Sequence, residues 1–111
     1  YKQAVLNAED RSTAVTGLSV GKPTRALRNK LTRELKKMEA SGVPWTDIEL
    51  LASGKLREAV REGNVRAGSV MMGQVAGLIK QRGPARKIIE EILEGFVRTV
   101  GEMGTQYHPE P

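Results

Sequence analysis

Seven apolar side chains toward the C-terminus constrain this chain most. Ile88, Ile89, Ile92, Leu93, Phe96, Val97 and Val100 recur at i, i+1, i+4, i+5, i+8, i+9 and i+12, a spacing that lines them along one side of an α-helix. Glu90, Glu91 and Glu94 take the other side. Gly83-Pro84 breaks the chain just before, and proline suits a first helical turn, where its missing N–H costs no hydrogen bond. The spacing predicts a helix over 84–100, with 104–111 as a tail. A stripe this wide has to be covered by a core, a neighbouring domain or a partner subunit.

The upstream pattern is also mainly helical. Residues 2–8 read as the end of a helix, so the chain starts in mid-helix and is expected to be part of something longer. Thr13-Ala14-Val15-Thr16 is β-branched and short, followed by Gly17 and Gly21-Lys22-Pro23, which predicts one strand and a turn. Leu27, Leu31, Leu35 and Met38 fall at steps of four, four and three and predict a helix over 24–40, stopped by Gly42 with Pro44 behind it. Thr46-Asp47-Ile48-Glu49 has the spacing of a capping box. Ser53-Gly54 interrupts the helix it opens, and a second short helix covers 55–62. After a turn at 64–68, a further helix is expected over 69–80.

Several function classes fall away on composition. There is no cysteine, so thiol nucleophiles, disulfides and cysteine zinc sites are excluded. His108 is the single histidine, which argues against a Ser–His–Asp triad or a multi-histidine metal centre. No metal site is expected. The longest uncharged run, 67–79, is too short to span a bilayer and carries Gly68, Gly73 and Gly77. No charged-then-apolar leader opens the chain, so no secretory signal is expected.

The net charge of +5 lies entirely in the first forty residues, which hold nine Lys/Arg against four Asp/Glu; the remainder holds nine of each. Lys22, Arg25, Arg28, Lys30, Arg33, Lys36 and Lys37 stand against Glu34 alone. Such a stripe suits the phosphates of a nucleic acid or cofactor, or an acidic protein, and equally suits plain solvation of a helix face. Tyr1, Trp45, Phe96 and Tyr107, the only aromatics, all lie outside the stripe, which disfavours nucleic acid.

One segment carries chemistry. In Gly68-Ser69-Val70-Met71-Met72-Gly73-Gln74-Val75-Ala76-Gly77-Leu78-Ile79, each interior glycine costs a helix about 1 kcal/mol relative to alanine. Glycine lets a backbone or a flat ligand approach closely. A helix starting at Ser69 has no acid in its first turn, so its free N–H groups face an anion or a polarised carbonyl. Gln74 adds a donor and an acceptor, and Met71 and Met72 add soft apolar surface. Tight packing with the methionines in the core accounts for the same residues.

That run, with Thr13-Ala14-Val15-Thr16-Gly17, Gly21-Lys22-Pro23-Thr24-Arg25-Ala26-Leu27-Arg28-Asn29 and Gly63-Asn64-Val65-Arg66-Ala67, resembles the C-terminal third of a family of FMN-dependent TIM-barrel oxidoreductases. It is the family of nitronate monooxygenase (2-nitropropane dioxygenase) and enoyl-acyl-carrier-protein reductase II. Lys22 stands where histidine is common in that family. The resemblance implies a mainly α chain with one short strand, forming the cap-domain portion of an FMN-binding α/β barrel enzyme. Residues 1–10 then end the last barrel helix, 11–83 form the small helical cap, 84–103 the amphipathic helix and 104–111 the tail.

On this resemblance, Ser69, Met71, Gly73 and Gln74 face the flavin or substrate. Lys22, Arg25 and Arg28 are candidates for contact with a cofactor phosphate or an acidic partner. The catalytic groups lie upstream of residue 1, with none in this chain. FMN is the implied cofactor and NAD(P)H a candidate second one. The implied substrate is a nitronate or an enoyl thioester, and the implied partners are the remaining barrel and a second copy in a homodimer, in the cytoplasm. The competing reading is a non-enzymatic basic helical module binding nucleic acid or an acidic partner through residues 22–37.

Overall fold

The strand at β1 (Thr13–Thr16) forms as expected, and its chain direction reverses at two glycines. Gly17 and Gly21 hold φ of 80° and 69°, and the Lys22 N–H donates to the Gly17 carbonyl at 2.9 Å. A side chain at Gly17 would run into the Lys22 carbonyl, so this turn requires glycine. The chain returns as β2 (Thr24–Leu27), paired antiparallel to β1 from Thr13 opposite Leu27 to Thr16 opposite Thr24. Among the described residues there are therefore two strands where the sequence predicts one. Leu27 and Leu31 are four apart, which suits a helix, but the Leu27 N–H donates instead to the Val70 carbonyl at 2.8 Å. A partner 43 residues away is invisible to local periodicity.

The helix predicted from residue 24 starts six residues later, as α2 (Lys30–Ala40). Asn29 is its cap: the Asn29 side chain accepts from the Thr32 N–H, and the Thr32 hydroxyl accepts from the Asn29 N–H. Gly42, with φ of 68°, follows its end as predicted. Helix α3 (Trp45–Ala52) starts ahead of the expected capping box. Pro44 is its N-cap, no side chain caps it, and Asp47 lies in the first turn, where a negative charge suits the helix dipole. Helix α4 (Lys55–Arg61) follows Gly54, whose left-handed conformation makes the break expected at Ser53-Gly54.

A computed structural model describes residues 1–106; residues 107–111, including Tyr107 and His108, lie outside the described residues. The chain divides into two compact units, Tyr1–Lys80 and a second from Gln81 onward. The first has two small cores. Leu31 and Leu35 of α2 bury against Ile48 of α3, with Met38, Val43 and Trp45 packed around them. Ala8, Ala59, Val70, Met72 and Ala76 form the other, flanked by Tyr1, Ala4 and Val5 from around α1 (Lys2–Leu6).

In the second unit, α5 (Ala85–Gln106) runs 22 residues and passes the end expected at Val100. Gly101 and Gly104 lie inside it because about 1 kcal/mol each is too little to stop a helix whose backbone bonds continue. Met103 prolongs the apolar stripe, and the stripe is exposed, Ile92 at 65% and Phe96 at 65%. No helix among the described residues is long and apolar enough to cross a membrane.

Candidate functional site

The segment after α4 is not the helix that its composition predicts. Residues 69–73 are not helical, with Met71 in a bridge and Gly73 extended, and a short 3₁₀ turn, Gln74–Leu78, follows. The unneutralised helix start expected at Ser69 therefore does not exist: the Ser69 N–H donates to the Lys55 carbonyl at 2.8 Å, and the Val70 carbonyl accepts from Leu27. Met71 forms an isolated antiparallel bridge with Ala26, so the segment lies along the β2 edge as a ribbon. Tertiary pairing outcompetes helix here because the glycines at 68, 73 and 77 weaken the helix while Lys55, Leu27 and Ala26 supply partners for the segment's backbone.

The ribbon alternates. Val70 is fully buried and Met72 is buried, both in the core with Ala59 and Ala76. Met71 between them is 46% exposed. Of the two methionines proposed to offer apolar surface, one is core and one is available. The Tyr1 hydroxyl donates to the Met71 carbonyl and ties the ribbon to the start of the chain. Gly73 is extended and exposed, and a Cβ there would meet only the Val75 side chain at 3.9 Å. Gly77 is different: it is buried against the backbone of Glu9 and Asp10, at 3.3–3.4 Å from a Cβ position. Gln74, Val75 and Leu78 are all exposed.

Asn29 holds the ribbon's entry. Its side-chain amide donates to the Val65 carbonyl at 2.9 Å and the Gly68 carbonyl at 2.8 Å. Gly68 admits no side chain, since a Cβ would meet the Asn64 carbonyl oxygen at 2.5 Å and the Ala59 nitrogen at 2.7 Å. Glu58 closes the preceding turn, taking Lys55 Nζ at 2.6 Å on one oxygen and Asn64 Nδ2 on the other. The hydrogen bond from Lys55 is the main reason its carboxyl lies below the ordinary range, opposed by partial desolvation and aided by the Lys55 charge and Asn64.

Ser69 also lines a recess of about 100 Å³ between the hairpin, α2 and α3, with Thr16, Thr24, Leu35, Trp45 and Ile48 among its walls. Lys22 sits over the Trp45 ring, 4.5 Å from its centroid, and the Glu39 carboxylate accepts from the Gly17 N–H. The three cations expected to act together do not converge. Lys22 belongs to this recess, whereas Arg25 Nη1 donates to the Thr13 hydroxyl at 3.0 Å and Arg28 Nε to the Thr13 carbonyl at 2.8 Å. The roles of Tyr1 and Asn29 went unseen in the sequence. Asparagine three residues ahead of a hydrogen-bonding threonine is the one local signal that marks Asn29.

A sequence model of the family described as nitronate monooxygenase matches residues 1–95. The chain belongs to the nitronate monooxygenase family. Among solved structures, this nitronate monooxygenase family chain is similar to FabK from Thermotoga maritima, with a TM-score of 0.88 and 40% identity over 96% of this chain and 33% of that one. It is also similar to a point mutant of the same protein, at TM-score 0.77 and 36% identity, covering 96% of this chain and 31% of that one. The chain therefore spans about a third of the length of the structures it matches. A mainly helical chain with a short sheet agrees with a portion of such an enzyme. Among the described residues no group of three or more His, Cys, Asp or Glu is placed to hold a metal ion.

Proposed function

We propose that this chain is the cap segment of a flavin-dependent oxidoreductase, with the end of the ribbon at Met71 and the 3₁₀ turn through Leu78 forming one wall of the FMN site. Family membership supports the class, and the exposed face of the ribbon supports the location. Gly73 leaves open the space its side chain would fill, with Gln74, Met71, Val75 and Leu78 exposed around it. An open glycine beside an amide and an apolar rim fits a flat, polar-edged ring. FMN, when bound, supplies the two-electron chemistry.

The residues of this chain bind, orient and exclude water. Gln74 offers its amide to the edge of the ring, and Met71, Val75 and Leu78 cover apolar surface. Tyr1 fixes the Met71 carbonyl and so the pitch of the ribbon. The catalytic groups belong to the barrel. The substrate is a nitronate or an enoyl thioester, NAD(P)H is the candidate reductant, and the enzyme works as a cytoplasmic homodimer.

In the full-length protein, Gln74→Ala weakens FMN about fivefold, the cost of one hydrogen bond of about 1 kcal/mol, read by quenching of flavin fluorescence. Unchanged FMN affinity and turnover would return Gln74 to a surface role. The 111-residue chain alone is expected to show neither tight FMN binding nor turnover, and finding both would overturn the cap reading.

A further inference from the structure

Arg28, just past the end of β2, and Arg33 and Lys36, one turn apart on α2, line a second recess of about 230 Å³, floored by Ala14 and Thr32. It shares no residue with the ribbon, and only Thr32 with the Trp45 recess. No carboxylate lines it, and among the described residues none of the three cations is in an ion pair, although α2 pairs Lys30 with Glu34. Three like charges around one concavity repel, and that repulsion is relieved by solvent or by an anion. Arg28 is also pre-oriented. Its Nε is committed to the Thr13 carbonyl at 2.8 Å, which fixes the guanidinium plane and leaves its terminal nitrogens as donors.

We propose that Arg28, Arg33 and Lys36 form a binding site for a phosphate group. A guanidinium held in one plane suits the bidentate recognition of phosphate oxygens, and a second guanidinium and an ammonium bring the site to three positive charges. The recess has walls from two elements and a neutral floor, which favours a compact anion over an extended polyanion lying along the helix. This assignment is independent of the flavin wall, because the two sites share no residue.

The test titrates inorganic pyrophosphate into the full-length protein by calorimetry at low salt. The expected result is saturable one-to-one binding that weakens at least tenfold in the Arg33→Ala/Lys36→Ala double variant. Lys30→Ala/Lys37→Ala removes the same charge from the same helix outside the recess and is expected to change affinity less than twofold. Circular dichroism of both variants establishes that the fold is kept, since all four side chains are exposed. Adenosine diphosphate distinguishes the source of the phosphate: affinity equal to that of pyrophosphate supports a site that reads phosphate alone, and tighter binding supports a nucleotide. Absence of saturable binding, or equal losses in the two double variants, overturns the proposal. So does tighter binding of duplex nucleic acid that both double variants weaken alike.

Discussion

The side-chain amide of Asn29 donates to the carbonyl of Gly68, 39 residues away, at 2.8 Å. One residue thus caps α2 with its oxygen and holds the ribbon's entry with its nitrogen. Everything proposed for the ribbon depends on that placement.

Asn29→Ala removes the cap and leaves two carbonyls, Val65 and Gly68, without their donor. A cap is worth about 1 kcal/mol, and an unsatisfied buried acceptor costs about 1–3 kcal/mol. The expected loss is about 2–4 kcal/mol, measured by urea unfolding. Asn29→Asp keeps the acceptor but not the donor, and is expected to recover only the share due to the cap.

The glycines divide by what surrounds them. Gly68→Ala forces a side chain into the backbone of Asn64 and Ala59 and is expected to destabilise by more than about 2 kcal/mol, in the range of overpacking. Gly73→Ala meets open space at φ of −80° and is expected to leave stability unchanged or raise it by up to about 1 kcal/mol. Thermal unfolding of the two variants side by side checks the contrast. Equal losses would show that the ribbon is packed along its whole length.

Trp45 is the only tryptophan, so intrinsic fluorescence reports on the recess it lines. Lys22→Ala removes the cation from the ring face and is expected to change the emission while costing about 0.5–1 kcal/mol of stability. An unaltered spectrum would show that the stacked arrangement is not populated in solution.

Glu58 sets an acid limit on the turn that leads into the ribbon. Its folded-state pKa is depressed, chiefly by the Lys55 hydrogen bond, so its contribution is present above the ordinary carboxylate value near 4.5 and fades as pH falls through the lowered folded value. The difference in stability between wild type and Glu58→Gln is expected to be constant from pH 7 to 5 and to shrink below the ordinary value. A difference that stays constant to pH 3 would remove Glu58 from the acid response.

Local pattern alone determined α1, the first strand, α4, the stop at Gly42 and the existence of α5, because each rests on neighbours in sequence: periodic leucines and isoleucines, β-branched threonines, and glycines where φ is positive. The family was legible too, in the run from Gly63 to Ile79. What local pattern missed has a common cause. Thr24–Leu27 is a strand because β1 and the Val70 carbonyl take its backbone groups. Residues 69–73 are a ribbon because Lys55, Leu27 and Ala26 lie alongside. In both segments the backbone is claimed by partners 8 to 45 residues distant, and those bonds outweigh the local pattern. The charges follow the same rule. Composition identified a basic stripe, but only the fold could divide it, sending Lys22 to Trp45, Arg25 and Arg28 to Thr13, and leaving Arg28, Arg33 and Lys36 around a recess of their own.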